Sequence, residues 1–169
     1  MDKKSIMSRV GDIVSFEKLN LQKFSFLDNA KAVFDKNLPM VSNLANLSSL
    51  LMDSFPNTSW AGFYLYDEVK QSLYLGPFQG KMACTIITYG KGVCGNAVQS
   101  KKTQLVSDVH QYPGHIACSS LTNSEVVVPI IKDDKVIGVI DLDSEEYSNY
   151  DDYDVKILEE LAMIIAGSF

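Results

Sequence analysis

Nowhere in the 169 residues does an apolar run approach the roughly 20 positions that a membrane-spanning helix needs. The stretch Ser5–Phe16 is broken by Arg9 and Asp12, so it also lacks the core of a signal peptide. Both absences point to a cytoplasmic protein with no membrane partner. Basic charge is scarce as well: 15 Lys and Arg face 21 Asp and Glu, a net charge of −6. Without a basic face to neutralise phosphates, the composition argues against nucleic acid as a partner. No internal repeat, low-complexity tract or Gly/Ser linker divides the chain, so one domain is expected. A chain of this length buries roughly 70% of its unfolded surface, enough that neither a metal nor a disulfide is required to hold the core.

Cysteine is sparse and odd in number: Cys84, Cys94 and Cys118, with nine residues between the first two and twenty-three between the last two. No CxxC pair exists. A zinc site built from the three cysteines plus His110 or His115 lacks the closely spaced ligand pairs of structural zinc sites. In a reducing compartment the odd count is also poor support for a static disulfide frame, leaving reactive or buried thiols. His115, three residues before Cys118, is placed either to stabilise a thiolate or simply to hold a loop. The run Gly90–Gly95 around Cys94 lacks the spacing and the Lys-Ser/Thr of a phosphate loop.

What is present is a clear alternation of element types. Phe26, Leu27, Ala30 and Phe34 predict a short helix, and Pro39 separates it from Met40–Phe55, where Val41, Leu44, Ala45, Leu47, Leu50 and Leu51 recur at helical intervals. Trp60–Tyr66 reads as an aromatic strand with Leu73–Leu75 as its partner across a turn. Along it Trp60, Gly62 and Tyr64 share a face, and the missing side chain at Gly62 predicts a hollow between two rings, or a bulge. Gly76–Ser120 is glycine-rich and loop-like, with a helix able to begin at Asn96. Glu125–Ile131 and Val136–Asp143 form a hairpin around Asp133-Asp134. A last helix, capped by Asp151 or Asp152, carries Leu158, Leu161, Ala162 and Ile165 on one face. The order predicts an α+β domain, a mostly antiparallel sheet with helices packed on one side.

Nine carboxylates crowd Asp141–Glu160 against Lys156 alone. Most suit a solvated helix start, but Asp141 and Asp143, two apart on a strand, point to the same side. Like charges held close raise an apparent pKa and keep a proton shared, unless the pair is simply exposed at a frayed strand end. Glu125 begins the partner strand. A two-residue turn at Asp133-Asp134 sets it opposite Leu142, whereas an odd loop or a bulge near Pro129 brings it level with Asp141 or Asp143. The pattern alone does not decide between them.

Six segments taken together carry a resemblance: SWAGFYLYD (Ser59–Asp67), LGPFQGKMAC (Leu75–Cys84), GKGVCGNAV (Gly90–Val98), SDVHQYPGHIAC (Ser107–Cys118), NSEVVVPI (Asn123–Ile130) and IGVIDLDS (Ile137–Ser144). In this order they resemble the free methionine-(R)-sulfoxide reductases, a family built on a GAF-type domain. The resemblance implies a single GAF-like catalytic domain over residues 26–169, behind an N-terminal extension of residues 1–25. It implies Cys118 as nucleophile, Cys84 as resolving thiol and Cys94 as a supporting or alternative resolver. Glu125, Asp141 and Asp143 are implied to hold the substrate and its sulfoxide oxygen, and Trp60 and Tyr64 to wall its methyl end. It favours the register that brings Glu125 to the aspartates. It further implies no bound cofactor or metal, thioredoxin as reductant, and a homodimer. The alternatives are a non-catalytic GAF-type sensor of a small ligand and a thiol redox sensor without a dedicated substrate.

Overall fold

Proline and apolar spacing set the first two helices. In the computed structural model, which describes residues 23, 25–116 and 118–168, a helix over 25–33 (α1) places Phe26 and Ala30 fully inside. Pro39 caps the next, Met40–Ser54 (α2), which buries Leu44, Leu47 and Leu51. Fully burying a leucine is worth roughly 1.5–3 kcal/mol, so this stripe fixes the helix on the sheet. Phe26 meets Phe55 edge to face at 5.3 Å. Residues 1–22 and 24 of the expected extension lie outside the described residues. Lys23 is helical and ion-paired to the buried Asp154.

Six strands follow: β1 (Thr58–Asp67), β2 (Ser72–Gln79), β3 (Ile86–Thr88), β4 (Gln104–Val106), β5 (Ser124–Lys132) and β6 (Lys135–Ser144). They form one antiparallel sheet in the order β3-β2-β1-β6-β5-β4. The expected α+β architecture is therefore present. Alternation along β1 sends Ala61 and Phe63 into a core with α1, α2 and the closing helix Asp152–Ala166 (α4), and Trp60 and Tyr64 into a second cluster on the opposite face. That second cluster contains Val93, Cys94, Ala97 and Val98 of the helix Gly92–Ser100 (α3). Helices thus cover both faces, not one side as the sequence order suggests. α3 also starts at Gly92, four residues before the expected Asn96. Gly95 permits its close approach, since a Cβ there would lie 2.5 Å from the Thr88 carbonyl oxygen. No helix among the described residues is long and apolar enough to cross a membrane.

The β5–β6 hairpin resolves the register. Asp133 and Asp134 both have positive φ, 49° and 62°, as a two-residue type I′ turn requires. Lys132 then pairs with Lys135 and Ile131 with Val136, but Ile130 pairs with Gly138, leaving Ile137 as the extra residue of a bulge. From there the strands run one residue out of the simple register, and Glu125 falls opposite Asp143.

The hollow expected at Gly62 is absent. Its β2 partner Phe78 fills the space: a Cβ on Gly62 would sit 2.4 Å from the Phe78 Cβ and 2.8 Å from Trp60 Cη2. A bulge does occur beside it, between Gly62 and Tyr64 in the β1–β2 pairing.

Asp151 is the N-cap of α4: its carboxylate accepts from the Tyr153 and Asp154 amides, while Asp154 accepts from the Asp151 amide. Asp151→Ala strips this capping box and is expected to lower unfolding stability by about 1 kcal/mol in a denaturant titration.

Candidate active site

The second face of the sheet holds the chemistry. β1 supplies Trp60 and Tyr64, stacked with ring centroids 5.9 Å apart, and Phe78 also stacks on Trp60 at 5.3 Å. β5 supplies Glu125, β6 supplies Asp141 and Asp143, and α3 lowers Cys94 onto them. His115, Cys118 and Ser119 line the remaining side. These groups, Phe78 excepted, line one cavity of about 30 Å³. That is room for a water molecule.

All eight residues singled out from the sequence meet here. Cys118 and Cys84 are joined by a disulfide, with Cα atoms 5.4 Å apart, and Cys118 lines the cavity. Cys94 is free and buried, and its thiol donates to Asp141 Oδ2 at 3.3 Å. The three-cysteine zinc set is not assembled: two sulfurs are bonded to each other, and His110 Nε2 is engaged by Asn123 at 2.8 Å. Sequence reasoning missed Ile87, Val93 and Thr122, which also line the cavity. Only Val93, beside Cys94 in the glycine-rich run, carried a local signal.

The electrostatics follow from burying acids without a cation. Among the described residues, no lysine or arginine pairs with Glu125, Asp141 or Asp143. Burial pushes Asp141 up from 3.8 to about 7, with hydrogen bonding to Cys94 and Glu125 holding it from rising further. Glu125 goes well above its ordinary range, first through burial and then through the charges of Asp141 and Asp143. Asp143 is raised by burial and then by Asp141. The cluster titrates as a unit. Burial, reinforced by Asp141 and Glu125, raises the Cys94 thiol far above the usual range, so it stays a neutral donor. His115 Nε2 lies 3.8 Å from Glu125 Oε2, but burial, then His110, lowers its pKa, making this a contact between neutral groups.

Among the described residues, Cys94, Glu125 and Asp141 form the one group with metal-ligand spacing, their ligand atoms lying within 4.8 Å of one another. The same groups are equally suited to hold protons. A disulfide-bonded cysteine pair, carboxyls of raised pKa and an aromatic wall are the groups with which thiol redox chemistry on a small molecule can be carried out.

Comparison with known proteins gives a consistent picture. Residues 43–168 match the family model described as GAF domain. The free methionine-R-sulfoxide reductase of Saccharomyces cerevisiae is 46% identical over 159 residues, covering 88% of this chain and 88% of that protein. The free methionine-R-sulfoxide reductase of Escherichia coli is 45% identical over 121 residues, covering 72% of each. Among solved structures, the free methionine-R-sulfoxide reductase of Neisseria meningitidis in complex with its substrate superposes with a TM-score of 0.83 at 42% identity, covering 90% of each chain.

Proposed function

The chain belongs to the free methionine-R-sulfoxide reductase family of GAF domains, and we propose that it reduces free L-methionine-(R)-sulfoxide to methionine through Cys118. The observation that carries this reading is a cavity lined by Cys118, itself disulfide-bonded to Cys84, together with the buried Glu125 and Asp141, the half-buried Asp143 and two stacked aromatic rings. In the reduced enzyme, Cys118 Sγ attacks the sulfoxide sulfur. A carboxyl of raised pKa protonates the oxygen as it transfers to Cys118 Sγ. Methionine departs and Cys118 is left as a sulfenic acid. The Cys84 thiol then displaces water from that sulfenic acid, forming the disulfide present in this structure. Thioredoxin restores both thiols by exchange, itself becoming the disulfide.

The structure is that of the oxidised state, and Cys118 Sγ must be freed from the Cys84–Cys118 bond before it can attack in the next turnover. An unperturbed cysteine thiol has a pKa of about 8.5, and ionised neighbours would raise it further. Protonated Glu125 and Asp143 avoid that penalty and supply the proton in the same arrangement. Selection against peptides follows from enclosure: free methionine sulfoxide brings an ammonium and a carboxylate that must be paired when buried, and a continuing peptide chain has no exit.

The test is an epimer-resolved assay with thioredoxin, thioredoxin reductase and NADPH. Turnover is expected with the free R epimer and not with the S epimer or with peptide-bound methionine sulfoxide. Binding of a nucleotide with no reduction of any sulfoxide would replace this reading with that of a sensor module.

A further inference from the structure

The loop 80–85 carries Cys84 between β2 and β3 without regular strand pairing, and Met82 at its centre is 94% exposed. Few bonds hold it. The Leu75 amide donates to the Thr85 carbonyl at 3.1 Å at its far end. Within the loop the Lys81 side chain reaches Glu145 Oε1 at 3.5 Å, and the aromatic wall holds the backbone: Trp60 Nε1 donates to the Lys81 carbonyl at 3.1 Å, and the Tyr64 hydroxyl donates to the Cys84 carbonyl at 2.9 Å. Both rings are buried, stacked on each other and fixed on the central strand β1, so their polar tips are set by the sheet. The loop is also pressed against Trp60, since a Cβ on Gly80 would approach Trp60 Cδ1 to 2.7 Å.

We propose that Tyr64 and Trp60 are positioning residues for the disulfide step: by holding the Lys81 and Cys84 carbonyls they keep the resolving thiol within reach of Cys118. This rests on the reading of Cys118 and Cys84 as nucleophile and resolver, and gives the two rings a second task besides walling the pocket. The reaction they assist is Cys118–SOH plus Cys84–SH giving the disulfide and water, with no outside oxidant. A loop already ordered loses less freedom when its sulfur is joined, which raises the effective concentration of the thiol. The Tyr64 hydroxyl stays protonated, because burial followed by the charge of Asp141 raises its pKa, and so it remains a donor.

The experiment uses reduced full-length protein mixed with one equivalent of free L-methionine-(R)-sulfoxide, following methionine, dimedone adduct on Cys118 and disulfide. In parallel, the Cys84–Cys118 couple is equilibrated with glutathione buffers. Tyr64→Phe and Trp60→Phe keep an aromatic ring and lose the donor. Each is expected to slow disulfide formation about 5- to 10-fold relative to methionine release, to accumulate dimedone adduct, and to make the disulfide easier to reduce, a tenfold change being about 30 mV. Asp151→Ala, which loosens α4 without touching the loop, is expected to leave the potential unmoved. Unchanged disulfide formation and potential in both variants overturn the proposal. Should Tyr64→Phe fail to fold, Trp60→Phe decides it alone. If wild-type protein releases no methionine, the enzymatic reading fails, while the glutathione equilibrium still tests the tether.

Discussion

Cys118→Ser is expected to lower reduction of free L-methionine-(R)-sulfoxide by at least about 10³-fold, because a serine hydroxyl cannot ionise or take up the transferred oxygen as a sulfenic acid. Cys84→Ser is expected to behave differently. With Cys118 intact the chemical step survives, so reduced protein releases one methionine per chain and then stops in the presence of thioredoxin. The trapped species is a Cys118 sulfenic acid, detectable as a dimedone adduct by mass spectrometry. Cys94 does not rescue this variant on the present reading: its sulfur is buried, kept neutral and hydrogen-bonded to Asp141. Continued thioredoxin-dependent turnover by Cys84→Ser would assign resolution to Cys94 instead. Activity persisting in Cys118→Ser would remove the nucleophile from the scheme altogether.

Local periodicity made legible which side chains share a face, while the resemblance assigned them and the cysteines to one site. Trp60 and Tyr64 share a face because strands alternate, and Asp141 and Asp143 do so for the same reason; the sheet carries both pairs toward one cavity. The position of Glu125 was not legible in this way. Lys132-Asp133-Asp134-Lys135 marks a two-residue turn correctly, yet one bulged residue, Ile137, decides which side chain Glu125 faces. An isoleucine among valines and isoleucines leaves no compositional trace when it is the unpaired one. The same limit applies to β3 and β4, three residues each and too short to show any period. The seat of α3 was also hidden. Its Val93, Ala97 and Val98 form an apolar stripe, but the glycines that allow it to approach the sheet read as loop. Whether helices cover one face or two depends on how these elements pack, which chain order does not contain.

The acid cluster sets the second large effect. Glu125→Gln and Asp143→Asn replace carboxyls that burial keeps protonated by amides that cannot transfer a proton, and each is expected to cut the rate of the chemical step by about 10²- to 10⁴-fold. Single-turnover methionine release at saturating substrate isolates that step from recycling by thioredoxin. In the wild-type enzyme the rate should fall on the alkaline side as the protonated donor is lost. Asp141 shapes where this occurs, since its negative charge raises both Glu125 and Asp143. Asp141→Asn removes that charge, lowers the pKa of the donor, and therefore moves the alkaline limb to lower pH. A limb that stays in place, or moves upward, would show that the donor lies outside this cluster.

The same protons act on stability with a defined sign. Each of the three carboxyls binds its proton more tightly in the folded chain than in the unfolded one, so the associated stability is fully present below the ordinary carboxyl range and is lost as pH rises through the raised values. For Asp141 that window runs from 3.8 to about 7, and for Glu125 and Asp143 it extends upward from their ordinary values. The oxidised protein is accordingly expected to show a falling melting temperature from mildly acidic to neutral pH, with Asp141→Asn flattening the slope. A melting temperature that instead rises through this range would mean the carboxyls are ionised and paired in the fold, and the proton they are asked to deliver to the sulfoxide oxygen would not be there.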